Sequence, residues 1–308
     1  MTTDAPSLPA RGGDATRTIV TGRATPPPAR RKRGFSWTKA FQYLALSIYL
    51  FVLGFPLVWL LSASFKSSRE LNSLGANLLP REWVFTNYLT ALERQSLVTS
   101  IGNSLIVAIS TTILTLLLSL PMAYALARLK GKLRAAGTVW ILASQVFPAI
   151  LIIIPLFLVL RTIQLNDTLM GLILVYVTFT MPFTLWMLQG YIAAIPRDLE
   201  EAGEMDGAGR WRVLRSIVLP LLAPGLVATA MFTFVSAWNE FFLALVLIQS
   251  PELYTLPITL RSFLGAEGQT QLGPLAAGAV IATIPSLIIF SILQKKLTGG
   301  TLAGAVKG

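Results

Sequence analysis

Six long apolar runs constrain this chain more than any other feature of its sequence. They cover approximately residues 42–65, 98–127, 137–160, 169–193, 222–248 and 272–294. A helix needs about 20 predominantly apolar residues to cross the hydrocarbon core of a bilayer. Lipid cannot satisfy backbone polar groups, so each run must form its hydrogen bonds internally. The sequence therefore predicts an all-α integral membrane protein with six transmembrane helices.

The composition supports this prediction and indicates bent helices. Hydrophobic residues make up 54% of the chain and charged residues only 13%, whereas soluble domains carry about 25% charged residues. Prolines lie inside five of the six runs and only at the start of the fifth, at Pro224, and the third run contains both Pro148 and Pro155. Neighbouring helices can satisfy the backbone groups that a proline frees. We therefore expect kinked spans.

The distribution of basic residues predicts the orientation. With the N-terminus inside, nineteen of the 25 Lys and Arg residues fall on the cytoplasmic side of the six runs. Cytoplasmic loops are enriched in Lys and Arg, so both termini are expected in the cytoplasm. The basic run Arg30–Arg33 fits a topology signal better than a nucleic-acid patch. No nucleic-acid partner is predicted, and the partner of the apolar surface is membrane lipid.

Three segments follow from this topology. Residues 1–35 are rich in Pro, Gly, Thr, Ala and Arg, and predict a disordered cytoplasmic tail. Residues 36–298 form the transmembrane domain, whose first run is expected to act as an uncleaved signal-anchor. Residues 299–308 form a short cytoplasmic C-terminal tail.

Missing residue types argue against an enzyme. The chain has no Cys and no His, which removes thiolate metal sites and the commonest general base. No phosphate-binding G-x-x-x-x-G-K-[ST] motif occurs. The sequence predicts no catalytic residue, no metal site and no cofactor in this chain, so any energy from ATP must come through a partner.

The predicted cytoplasmic loop at residues 196–220 is too structured for a simple connector. Asp198 is a plausible N-cap for a first helix, and Asp206-Gly207 predicts a turn. The stretch Trp211–Val218 has apolar residues at helical spacing, and Pro220 is expected to close this second helix. Such a helix–turn–helix could fill a groove on a partner or pack only on its own bundle. Periodicity alone leaves both open.

The same loop resembles a known family. Its matching residues are Glu201-Ala202, Asp206-Gly207-Ala208, Ile217 and Leu219-Pro220. They are similar to the EAA loop of ABC-importer permeases, which docks in a cleft of the ATPase subunit. The resemblance implies a type I importer permease (MetI-like) fold. Gly203 departs from the family pattern, which usually has a second alanine there, but it keeps the helix surface small.

The resemblance implies a set of ATPase-coupling residues within the loop. They are Glu201, Ala202, Asp206, Gly207, Ala208, Trp211, Leu214, Ile217 and Pro220.

Two further stretches resemble the carbohydrate branch of the family. The C-terminus, Gly299–Gly308, is similar to the tail of the smaller permease of maltose-type importers, which reaches between two ATPase subunits. This implies that Gly304, Val306 and Lys307 contact the ATPase. Trp238-Asn239-Glu240-Phe241 resembles a signature of carbohydrate permeases.

Together these resemblances imply a permease subunit of a bacterial carbohydrate ABC importer in the inner membrane. Its expected partners are a second homologous permease, an ATPase dimer that holds ATP and Mg, and an extracytoplasmic solute-binding protein. An ABC permease for another solute, such as glycerol phosphate, is an alternative. An ion-coupled secondary transporter is another, but it predicts more intramembrane carboxylates and inverted repeats.

A small set of polar residues could line the substrate path. Glu240 is the only carboxylate placed well inside a predicted run, and Asn239, Gln145, Asn103 and Gln189 are weaker candidates. A carboxylate in the membrane should face the bundle or a water-filled path. Amides suit sugar hydroxyls because they both donate and accept hydrogen bonds. They suit bonds between helices equally well, so both roles stay open.

Two predicted outer segments are expected to face the binding protein. Residues 249–271 resemble a loop that reaches into the binding protein in maltose-type importers, with a mobile tip at Gly265, Gly268 and Gln269. An ordinary exposed connector is the alternative. Residues 66–97 lie on the same predicted side.

Overall fold

The computed structural model describes residues 37–73, 77–93, 96–265 and 270–305, with the backbone alone for 295–305. This part of the chain consists of helices and connecting turns, without strands. The predicted tail at residues 1–35 lies outside the described residues, as do Gly268, Gln269, Val306 and Lys307.

The chain divides into two compact units, residues 1–52 and residues 53–308. The described part of the first unit is the beginning of helix α1 (Trp37–Ala63), which is 27 residues long. Its large apolar side chains, such as Tyr43 and Phe51, are exposed. An all-round apolar surface of this kind suits contact with lipid.

The second unit holds the rest of α1 and twelve further described α-helices. They are α2 (Ser68–Asn72), α3 (Thr86–Glu93), α4 (Leu97–Arg128), α5 (Lys132–Val146), α6 (Ala149–Thr162), α7 (Leu169–Ala193), α8 (Asp198–Met205), α9 (Arg210–Val213), α10 (Leu219–Trp238), α11 (Phe242–Leu247), α12 (Leu256–Ser262) and α13 (Leu272–Ala305). A π-helical turn, Leu214–Val218, joins α9 to α10, and a 3-10 turn, Pro251–Leu253, precedes α12.

Five of the described helices are long and apolar enough to span a membrane, and a bent pair makes a sixth candidate. The pair is α5 and α6, which meet at an angle of 91°. The third predicted span, 137–160, is therefore broken rather than merely kinked. The break falls at Phe147 and Pro148 because a residue before proline avoids the helical conformation and proline donates no backbone hydrogen bond.

The fifth predicted span, 222–248, is wrong at both ends. The helix runs without interruption from Arg210 to Trp238, so Pro220 does not close a separate helix. In the π-helical turn the Leu219 N–H donates to the Leu214 carbonyl, five residues back. The wider turn accommodates the ring of Pro220 and its missing N–H. At the other end, α11 is a separate short helix after the break at Asn239.

Helix α4 lies at the centre of the bundle, packed against α7 and α10. Its buried face consists largely of small residues, namely Ser100, Ser104, Ala108, Thr111, Thr115, Ser119, Ala123 and Ala127. Small residues at this spacing let helix backbones approach closely. Hydroxyl pairs add hydrogen bonds between helices: Thr115 and Thr180 lie 3.1 Å apart, and Thr184 and Thr233 lie 3.0 Å apart.

Candidate functional site

The 196–220 loop forms the predicted helix–turn–helix. Helix α8 ends at Met205, and Gly207 adopts φ +80° in the turn before α9. Glycine takes this left-handed conformation at no steric cost. Asp198 is the first residue of α8 rather than its N-cap, which is Arg197. The acids Glu200 and Glu201 lie in the first turn, where the helix dipole favours negative charge.

One face of this loop is buried in its own bundle. Val213, Leu214 and Val218 belong to a buried apolar cluster with residues of α4, α7 and α10. Leu214, expected to contact the ATPase, is only 6% exposed. It holds the loop to the bundle instead, because its side chain is enclosed by the chain's own core. Ile217 and Ala208 are half-buried against the same cluster.

The opposite face of the loop is exposed in the chain as described. It carries Glu201, Ala202, Asp206, Gly207 and Pro220 among the expected coupling residues. Two large apolar side chains stand out on this face: Met205 is 87% exposed and Trp211 is 72% exposed. One face therefore packs on the chain's own bundle and the other is exposed, so docking of the exposed face in a partner's groove stays a prediction.

Gly203 does not lie on the free face. It is buried between α8 and the π-helical turn, and a Cβ atom built there would lie 2.5 Å from Ile217 Cδ1. The expectation that its small size serves the outer surface is therefore wrong. Glycine at this position lets the two halves of the loop approach each other closely.

A cluster of polar side chains, here called the Arg128 clamp, fastens the loop to the end of α4. Arg128 and Glu200 form an ion pair, and Tyr124 Oη donates to Glu200 Oε2 at 2.8 Å. Arg128 Nη2 also donates to the Ile195 carbonyl at 3.4 Å, and Arg197 Nη2 donates to the Arg128 carbonyl at 3.1 Å. No local sequence pattern predicts this pairing, because Arg128 and Glu200 lie 72 positions apart.

A cavity of about 520 Å³ with several charged lining residues opens beside this clamp. Its charged lining residues are Arg128, Arg197, Arg210, Glu200, Glu201 and Glu204. The cavity therefore presents both signs of charge at the junction of α4 and α8.

Glu240 lies in the break between α10 and α11, and not within a continuous helix. Its two carboxylate oxygens accept from the Leu243 N–H at 2.9 Å and the Ala244 N–H at 3.1 Å. Tyr176 Oη of α7 donates to Glu240 Oε2 at 2.6 Å. The carboxylate thus caps α11 and ties it to α7. This geometry favours the interhelical alternative over a free lining group.

The other path candidates are not gathered into one site. Asn239 and Gln145 are exposed, and Asn239 Nδ2 donates to the Val235 carbonyl of its own helix at 2.9 Å. Asn103 is buried and donates to the carbonyls of Glu252 and Tyr254 at 2.9 and 3.0 Å. Of the candidates, Asn239 and Gln145 have the accessible side chains.

Gln189 is buried in α7 and bonded to Thr138 of α5, with Nε2 and the Thr138 Oγ1 3.0 Å apart. Both residues line a cavity of about 850 Å³ between the two helices, together with Arg134 and Trp186. The amide therefore acts first as a link between α5 and α7.

The segment 251–262 is fastened to the opposite end of α4 by a second cluster, here called the Asn103 clamp. Besides the two Asn103 bonds, Ser104 Oγ accepts from the Leu256 N–H at 2.8 Å, which caps the start of α12. Ser100 Oγ and Thr259 Oγ1 lie 2.6 Å apart. These bonds join residues about 150 positions apart in sequence, so no local pattern could have predicted them.

Asp167 ties the two residues that precede this segment to the α6–α7 turn. Its carboxylate accepts from the backbone N–H groups of Gln249 and Ser250 at 2.8 and 3.1 Å, and from Ser250 Oγ at 2.6 Å. Slight burial works to raise the pKa of Asp167, but the bonds from Ser250 and Gln249 outweigh it and lower the pKa below its ordinary value.

Comparison with known proteins identifies the family. Residues 115–300 match the model for the binding-protein-dependent transport system inner membrane component. A putative ABC transporter permease from Streptomyces antibioticus is 51% identical over 74% of this chain and all of its own length. The diacetylchitobiose uptake permease DasC of Streptomyces coelicolor is 37% identical over 85% of this chain and 95% of its own. The trehalose/maltose permease MalG of Thermococcus litoralis is 34% identical over 82% and 91%.

Solved structures share the fold. A chain of a bacterial ABC transporter that imports alginate superposes with TM-score 0.70 at 24% identity, over 88% of this chain and 99% of that one. A chain of the inward-facing MetNI methionine transporter gives TM-score 0.56 at 18% identity, over 66% and 95%. The fold is therefore that of type I importer permeases. The chain belongs to the binding-protein-dependent ABC importer family, as a non-catalytic, multi-pass permease subunit of the inner membrane, with sugar permeases among its relatives.

Proposed function

We propose that this subunit forms half of the translocation path of an ATP-driven carbohydrate importer. A second, homologous permease supplies the other half. The proposal for a carbohydrate is supported by relatives named for diacetylchitobiose and for trehalose/maltose uptake and by the resemblance at Trp238–Phe241. Among the proposed path residues, Asn239 and Gln145 have accessible amides that suit sugar hydroxyls.

The 196–220 loop receives the ATPase dimer, which binds ATP and Mg. The observation that carries this is the two-sided loop: one face is packed in the bundle, and the other exposes Met205, Trp211 and a row of acids. Exposed large apolar side chains beside polar ones are typical of protein interfaces. Gly304, Val306 and Lys307 of the C-terminal tail supply a further contact with the ATPase.

Both termini lie in the cytoplasm, as the excess of Lys and Arg on that side indicates. The ATPase then binds the 196–220 loop from inside. The segments 66–97 and 249–271 face the opposite side and contact an extracytoplasmic solute-binding protein.

Replacement of Glu201 by Lys tests the ATPase contact. The side chain is exposed, so the variant should fold and reach the membrane. We expect binding-protein-dependent sugar uptake in proteoliposomes to fall at least tenfold. A bulky residue at Gly207, where φ is +80°, should have a similar effect. Normal coupling of ATP hydrolysis to uptake in both variants would refute the contact.

A panel of labelled solutes tests the substrate class. The assembled transporter should accumulate a di- or oligosaccharide and leave glycerol phosphate and amino acids outside. Accumulation of glycerol phosphate but no sugar would show a different solute class with the same ATPase coupling.

A further inference from the structure

Helix α4 is fastened at both ends to the two loops that the proposed function assigns to different partners. The Arg128 clamp holds its last residues to the 196–220 loop. The Asn103 clamp holds its first turns to the segment 251–262. Asn103 and Arg128 are separated by about 37 Å at 1.5 Å per residue, which is about the thickness of a bilayer.

Separating the ion pair of the Arg128 clamp is energetically unfavourable. The side chains of Arg128 and Glu200 are only 16% and 9% exposed. Removing one partner of such a pair leaves a poorly solvated charge, which is strongly unfavourable. Arg128 sits at the C-terminal end of α4 and Glu200 in the first turn of α8. Each charge therefore also complements the dipole of its own helix.

The Asn103 clamp uses backbone groups that would otherwise lack partners. Both carbonyls bound by Asn103 belong to the segment that leads into α12, and Ser104 satisfies the first N–H of α12. Helix starts leave such N–H groups without intrahelical partners. The clamp therefore fixes the position of α12 relative to α4.

Between the clamps, α4 is one continuous helix of 32 residues that runs through Pro121. Its middle is joined to α7 by the Thr115–Thr180 hydroxyl pair. A helix packed along its whole length in this way moves as a rigid body and not by local unfolding.

We propose that α4 is the connecting element between the ATPase-facing loop and the binding-protein-facing segment. Displacement of α8 by the ATPase moves α12 because both are clamped to the same helix. Tyr124, Arg128, Glu200 and Asn103 are then positioning residues for coupling, and none of them needs to touch substrate. This proposal rests on the proposed function for the identity of the two partners.

Stimulation of ATP hydrolysis by the sugar-loaded binding protein tests the connection. The assembled complex is studied in nanodiscs with R128Q/E200Q, which removes both charges so that neither is left unpaired, and with N103A. Lys130→Gln removes an exposed charge two residues from Arg128 and serves as the control. Thermal stability and subunit stoichiometry are measured for each variant.

Either clamp variant should assemble, keep its basal ATPase rate and lose stimulation by about fivefold or more, the lower end of usual coupling between two sites. The combined variant should be no worse than the more severe of the two, because one broken clamp already disconnects the helix. Full stimulation in either variant would overturn the proposal. So would losses that multiply in the combined variant.

A distance measurement on the intact clamps covers the case in which the variants fail to assemble. The chain has no cysteine, so spin labels at L129C and E204C report only the gap between α4 and α8. Both residues line the cavity beside the clamp. The distance should be the same in nucleotide-free and ATP-bound complexes. A change approaching one helical turn, about 5 Å, would overturn the proposal.

Failure of the proposed function has a different signature. In that case the wild-type complex, with both clamps intact, would show no contact between an ATPase subunit and Met205 at the end of α8.

Discussion

At the residue scale, Gly203 lies where α8 packs closely against the π-helical turn, and the side chain that it meets there can move. The atom in the way of a Cβ is the terminal Cδ1 of Ile217, which can rotate away. We therefore expect Gly203→Ala to stabilise α8 by up to about 1 kcal/mol through helix propensity. Gly203→Leu would also meet buried Val213 and should destabilise by about 1–3 kcal/mol. Thermal unfolding in detergent compares the two, and an alanine variant as unstable as the leucine variant would contradict the packing described.

Asp167 gives a prediction with a defined pH dependence. Its pKa is lowered in the folded protein, so its contribution to stability is present above the ordinary aspartate pKa of about 3.9. That contribution is lost as the pH falls through the lowered pKa. Asp167→Asn should therefore speed hydrogen exchange at Gln249 and Ser250 at neutral pH. The variant and the wild type should converge in strong acid, and equal exchange at neutral pH would contradict the assignment.

At the element scale, the contact between α7 and α10 depends on Gly225. A Cβ at this position would lie 2.5 Å from Cγ of the Tyr191 ring, an atom that moves only if the whole ring changes its χ1 rotamer. Gly225→Ala should lower stability by about 1–3 kcal/mol. Gly190→Ala in α7, where nothing lies within 4 Å, is the matched control. Equal thermal stability of both variants would show that the helices do not approach as closely as described.

The helices and turns differ in how well the sequence predicts them. Hydropathy located every described span because each is a long apolar run, but it averages over single polar residues. It therefore missed the break at Asn239, whose neighbours are strongly apolar. The turn at Asp206-Gly207 was predictable because its chemistry is local. The Arg128–Glu200 pair was not, since its partners lie 72 positions apart in the sequence.

At the scale of the whole molecule, the topology is accessible to labelling because the chain has no cysteine. Gln249 and Leu129 are both exposed, and the predicted orientation puts them on opposite sides of the membrane. A membrane-impermeant maleimide added to intact cells should label Gln249→Cys at once. Leu129→Cys should react only after permeabilisation. The reverse pattern would invert the proposed orientation.

The central claim concerns the whole assembly: the free face of the 196–220 loop is the surface that meets the ATPase. A photo-crosslinker placed at Met205→Cys, 87% exposed in the wild-type side chain, tests it most directly. In the assembled transporter, illumination should join this subunit to the ATPase, and a crosslinker at Gln249→Cys should not. Capture of the ATPase from position 249, or no capture from position 205 in a complex that transports, would contradict the account.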